Sequence, residues 1–192
     1  LEDDSGIPLS RAHTTNQGRS KLIVLSARKE RTLREMSLNL RNYIQVERAN
    51  QGIITDAEAY LESLAFTLQN GRSSFNHRLA IICDSLDDLI VKLEHYNASE
   101  LNECIQYGEC NGNSIEEWQG ELYEQEYFRN LFSKGNLGKL AFLWIKGVSI
   151  NWSILYGDVR PVRISLPMYP FDKRIFPLEK FTKPAKEHSL YT

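Results

Sequence analysis

Leu64 to Leu93 constrains the fold more than any other stretch of the chain. Leu64-Ala65-Phe66-Thr67-Leu68-Gln69-Asn70 reads as the end of an amphipathic helix. Gly71 stops it, as the residue that accepts the left-handed conformation of a C-terminal cap. Leu79-Ala80-Ile81-Ile82-Cys83 is an uninterrupted apolar run, the pattern of a strand covered on both faces. Ser85 then caps a new helix, with Asp88 completing a capping box and Leu86, Leu89, Ile90 and Leu93 forming its apolar stripe. A buried strand held between two helices requires a sheet with helices packed against it.

The rest of the chain extends that unit. Residues 1–20 are polar, without apolar period, and read as an extended lead-in. Leu22-Ile23-Val24-Leu25-Ser26-Ala27 is a first strand, with Ser26 near the start of the next helix. Leu33, Met36, Leu40, Tyr43 and Ile44 share one face of that helix, which Gly52 ends. Thr55 with Glu58 is a second capping box, opening a helix lined by Ala57, Tyr60, Leu61, Leu64 and Leu68. Ile105-Gln106-Tyr107 is a short edge strand. The predicted fold class is α/β: a small three-stranded sheet with amphipathic helices against it, over residues 21–110. Its core is Ile23, Leu25, Leu33, Met36, Leu40, Leu61, Leu64, Leu68, Leu79, Ile81, Leu89 and Leu93.

Residues 111–136 are interrupted by glycines, and Ile115 to Asn130 is acidic and aromatic, a variable surface segment with one or two helices. Leu137 to Lys146 reads as a short helix stopped by Gly147, with Trp152, Leu155 and Tyr156 in a loop beyond it. From Arg163 to Phe176 the two prolines, Pro167 and Pro170, forbid a helix, so this is an extended strap. Its aromatics predict that it lies back over the helical layer. Residues 177–192 read as a flexible tail.

Chemistry is hard to place. The chain lacks a Gly-x-Ser-x-Gly elbow, a P-loop, a Gly-x-Gly-x-x-Gly turn and a His-Glu-x-x-His pair. No cofactor or metal site is predicted, and the segment reads as non-enzymatic. A formal net charge of −2 over 192 residues gives no footprint for nucleic acid or an anionic membrane. No apolar run approaches the roughly 18 residues of a membrane span. Three irregularly spaced cysteines fit a reducing, cytoplasmic setting. The first residue is not Met, and the chain reads as a piece of something longer. Asp84-Ser85-Leu86 matches the tripeptide around a carrier protein's phosphopantetheine serine, but a helix N-cap explains Ser85 without it. Arg72 and Arg78 suit either an anion or a neighbouring domain. Trp118, Trp144 and Trp152 suit either a ligand pocket or a packed interface.

Several of these segments resemble one family, and in its order. Leu22 to Ala27 is similar to the "LxVLSA" that opens the ketosynthase-to-acyltransferase linker of modular polyketide synthases. Leu68-Gln69-Asn70-Gly71-Arg72 with His77-Arg78-Leu79-Ala80-Ile81-Ile82 resembles its "LQxGR…xRLAII". Leu140 to Gly147, Ile150-Asn151-Trp152 and Leu155-Tyr156 resemble "LAxxWxxGxxxDW…LY". Arg163 to Phe171 resembles "RxxLPTYPF", with Met168 in place of Thr. The acyltransferase that would divide the two linker halves is missing, and too few residues separate them to form a typical domain.

The resemblance therefore implies a trans-acyltransferase synthase and its non-catalytic docking domain. It implies a linker domain over 21–110 and a post-acyltransferase-type linker and strap over 137–176. The implied partners are the ketosynthase of the same chain and, beyond it, either a separate acyltransferase or a neighbouring synthase. Arg72, Arg78, Trp144, Trp152, Leu166, Pro167, Tyr169, Pro170, Phe171 and Phe176 are the expected domain-interface residues. Two other readings stay open: a carrier-like or enzymatic domain using Ser85, and a self-associating scaffold through residues 115–132.

Overall fold

The structure, a computed structural model, describes residues 20–50, 56–110, 121–157 and 160–171. Its sheet has the antiparallel order β1 (Lys21–Ala27), β2 (His77–Cys83), β3 (Ile105–Glu109). Between β1 and β2 run α1 (Glu30–Ala49) and α2 (Ala57–Asn70), and α3 (Leu86–Asn97) links β2 to β3. After β3 come α4 (Glu121–Ser133), α5 (Leu137–Ile145) and a 3-10 turn, Trp152–Leu155, where the sequence suggested a loop. This is the expected α/β class, with β2 central and the short β3 at an edge.

The pairing places Ile23 opposite Ile81 and Leu25 opposite Leu79, and all four are buried. Alternate residues of a strand face opposite sides, and burial of the whole Leu22–Leu25 run shows that both sides are covered. Helices α1 and α3 pack on each other, α1 also on β1 and β2 and α3 on β2; α5 packs on β2 and β3, and α2 runs along β1. The Leu22 carbonyl of the edge strand β1 accepts from Gln69 Nε2 at 2.7 Å, so an α2 side chain stands where another strand would pair. Every expected core residue is buried except Met36, which is half-buried. The core also takes in Phe128 and Phe132 of α4, so that helix is not only a surface feature.

Several local signals act differently from the reading. Gly71 ends α2 in the right-handed region, at φ −105°; a Cβ there would stand 2.6 Å from the Thr67 carbonyl oxygen, and this close approach is what requires glycine. Asp56 caps α2, its carboxylate accepting from the N–H groups of Glu58 and Ala59 at 3.0 Å, while Thr55 and Gly52 lie outside the described residues. Ser85 does cap α3, accepting from the Asp88 N–H at 3.1 Å, but Asp88 reaches back to the Asp84 N–H rather than that of Ser85. Ser26 is part of β1, and its hydroxyl ties down the loop after α2, accepting from the Phe75 N–H at 3.0 Å. Gly147 closes α5 at φ +101°, with Gly147 and Val148 donating back to Trp144 and Leu143 as in a Schellman motif.

Candidate domain interface

The strap meets the helical layer through its backbone. Residues 160–171 form no strand. Instead the Ile164 N–H donates to Thr67 Oγ1 of α2 at 3.1 Å. Tyr43 Oη of α1 donates to the Ser165 carbonyl at 2.8 Å, and Arg72 Nη2 to the Pro167 carbonyl at 2.7 Å. The Arg28 N–H donates to Tyr169 Oη at 3.1 Å. Proline supplies no donor but keeps its carbonyl, so this chemistry suits a segment with two prolines. Leu166 is half-buried between the helices, beside Leu25, Met36, Leu40 and Leu68.

Past Pro167 the strap's aromatic rings stack against the loop after α2. Phe75 and Tyr169 are 5.5 Å apart between ring centroids, and Tyr169 and Phe171 4.9 Å. The Arg28 guanidinium lies 5.3 Å from the Phe75 centroid, beginning a cation–aromatic ladder that runs out to Phe171. A cavity of about 270 Å³ lies beneath, lined by Met36, Leu68, Trp144, Trp152, Tyr169 and Phe171. On the outer side Val162, Met168 and Phe171 are 75%, 86% and 78% exposed. Pro170 is half-buried, and Phe176 lies outside the described residues.

The other expected interface residues sit within the fold. Arg78 is 9% exposed. Its Nε donates to the Phe75 carbonyl at 3.0 Å and its Nη1 to the Trp144 carbonyl at 2.7 Å, with the Trp144 ring 5.1 Å away. Burial lowers its affinity for the proton, and the negative end of α5, to which Trp144 belongs, is well placed to hold its charge. Trp144 and Trp152 are both buried in the core; Trp118 lies outside the described residues. Of the expected residues, only Arg72, Leu166, Pro167, Tyr169, Pro170 and Phe171 are gathered along the strap. Sequence reasoning missed Arg28, Tyr43, Thr67 and Phe75, which hold it, because each lies far from the strap in the chain and has no motif.

A second cavity, about 320 Å³, opens beside β1 among Lys21, Glu62, Gln69, Phe132, Leu137 and Tyr156. Tyr156 Oη donates to Gln69 Oε1 at 2.7 Å, so the polar groups of its wall largely satisfy one another. Glu109, His77 and Tyr107 form a carboxylate–imidazole–phenol line, with separations of 3.8 and 3.0 Å. Burial, followed by the nearby carboxylates of Glu30 and Glu109, raises the Tyr107 phenol, which suits it poorly to nucleophilic work. Among the described residues no three His, Cys, Asp or Glu side chains converge as a metal site would need, and no helix is long and apolar enough to cross a membrane.

Residues 21–93 match the profile of the CurL-like, PKS C-terminal family. The chain is 33% identical to polyketide synthase PksL of Bacillus subtilis over 164 residues, 84% of this chain and 3% of that protein. It is 35% identical to PksM of the same organism over 168 residues, 87% of this chain and 4% of that protein. It thus spans only a few per cent of these relatives. Among solved structures, the ketosynthase from module 6 of the B. subtilis bacillaene synthase superposes with a TM-score of 0.71 at 34% identity, covering 82% of this chain and 28% of that one. The ketosynthase from module 1 of the B. amyloliquefaciens bacillaene synthase gives 0.67 at 30% identity, covering 81% and 26%. Residues 21–93 are thus similar to the CurL-like, PKS C-terminal family, and the chain around them is similar in sequence and fold to the matching part of Bacillus polyketide synthases.

Proposed function

We propose that this chain is a non-catalytic flanking domain of a trans-acyltransferase polyketide synthase, bracing the ketosynthase of its own chain and offering a contact to a separate acyltransferase. The observation that carries this reading is the two-sided strap. Its inner side is held by side chains of α1, α2 and the loop after α2, while Val162, Met168 and Phe171 stand outward. Large apolar side chains held in water by a pinned backbone mark a contact surface. The free thiols Cys83, Cys104 and Cys110 suit the reducing setting of a cytoplasmic multienzyme. The carrier reading is weaker, because Ser85 Oγ is committed to capping α3 directly after β2.

Met168→Ala with Phe171→Ala tests the proposal in two settings. In the isolated 192-residue chain the pair should leave stability nearly unchanged, since both side chains are largely in water. In a chain that includes the ketosynthase it should cost about 2 kcal/mol or more, near the value of burying one such side chain. It should also speed proteolysis between the two domains. Equal behaviour in both settings would remove the strap as a ketosynthase contact. Incubation with a phosphopantetheinyl transferase and coenzyme A, read by mass, tests Ser85 separately.

A further inference from the structure

On α5 and its C-cap, one stripe faces solvent: Lys139, Phe142 and the capping Lys146, at spacings of three and four residues along one face. Phe142 is 45% exposed although α5 is otherwise deeply packed, with Leu140, Ala141, Leu143 and Trp144 buried. Both ammonium groups stand over its ring, Lys139 Nζ at 5.1 Å and Lys146 Nζ at 5.6 Å from the centroid. Neither lysine belongs to an ion pair among the described residues. Helix α5 itself carries no acidic residue. The stripe is therefore a cation–aromatic–cation row whose ammonium groups belong to no ion pair among the described residues.

We infer that this row is a docking surface for an acidic amphipathic helix of a protein partner. Seven residues of helix at about 1.5 Å each span about 10 Å. A partner helix with carboxylates two turns apart and one apolar residue between them matches that length. The carboxylates meet the two ammonium groups and the apolar residue covers Phe142. A free anion would leave Phe142 in water, so the aromatic group between the charges favours a helix over a small ion. Such contacts add specificity and association rate more than raw affinity, so binding is weak and salt-dependent. This surface is independent of the strap, and its test leaves the ketosynthase contact untouched.

The probe is a labelled 18-residue helical peptide carrying Glu, Leu and Glu at positions i, i+3 and i+7, titrated with the full chain and followed by fluorescence anisotropy. A peptide of the same composition with those three positions scrambled is the control. The designed peptide should bind several-fold more tightly than the scrambled one. Phe142→Ala, and separately Lys139→Gln with Lys146→Gln, should each weaken it on the order of fivefold to tenfold, and raised salt should do likewise. These side chains are exposed, so the variants keep the wild-type melting curve, which circular dichroism checks. Equal binding of the two peptides, or no effect of Phe142→Ala, would overturn the inference. So would equal loss of binding to oligodeoxythymidylate or phosphatidylserine vesicles, which would make the row a general polyanion patch. A chain dimer that Phe142→Ala dissociates would also overturn it, by showing a second copy on the row.

Discussion

Arg78 carries its charge into the core with no carboxylate beside it among the described residues, and carbonyl groups do the work of a counter-ion. It joins β2 to the loop after α2 and to the end of α5, so its loss leaves the Phe75 and Trp144 carbonyls without those bonds. Arg78→Leu should cost about 2–4 kcal/mol in urea unfolding, from orphaned acceptors and lost packing. Arg78→Lys should fall in between, because one ammonium cannot reproduce the guanidinium fork. A Leu variant as stable as the parent would show that those carbonyls find other donors. The sequence marks Arg78 as unusual, a cation leading into an apolar strand, but its main partner is 66 positions away, and no local pattern distinguishes that from an anion site. Ser85 is the opposite case. Its role depends on a residue three positions on, and it was readable at once.

At the scale of elements, what was legible follows the same division. The periods and caps of α1, α2 and α3 are local, and those helices stand where the apolar stripes place them. The direction of the strands and the Gln69 cover on β1 arise only when distant segments meet. The strap was legible in part: its prolines show extension and its aromatics a need for cover, but Tyr43, Thr67 and Arg28 have no signature. Arg72→Ala should loosen this element selectively. It removes the donor to the Pro167 carbonyl while the bonds at Ile164 and Ser165 remain. Chymotrypsin should then cut after Met168 or Phe171 several-fold faster, with global stability lowered by no more than about 1–2 kcal/mol. Unchanged cleavage would mean that Arg72 only rests against the strap.

For the molecule as a whole, sheet and helices share one apolar core that holds several titratable groups in their neutral form. Burial pushes the Cys83 thiol up to about 12 from an ordinary value of 9.0, and raises the Tyr96 and Tyr156 phenols well above their usual 10.0. These groups hold their protons more tightly folded than unfolded. Their contribution to stability is therefore complete below about pH 9 and is lost as pH rises toward and beyond 12. Each group titrating in the unfolded chain alone contributes a slope of up to about 1.4 kcal/mol per pH unit. Urea unfolding at pH 8, 9, 10 and 11 should show stability level at first and then falling steeply. Tyrosinate absorbance of these side chains should appear with unfolding rather than before it; titration near pH 10 in the intact fold would contradict the burial argument. Tyr96 separates this effect from general charge repulsion. Its hydroxyl is buried and has no hydrogen-bond partner, so Tyr96→Phe removes a desolvated group along with a titrating one. That variant should be about 1 kcal/mol more stable at pH 8 and should lose stability less steeply above pH 10. A Phe variant that is less stable at pH 8 would mean that the hydroxyl is bonded in solution, and the alkaline slope would then have to be assigned to the other groups.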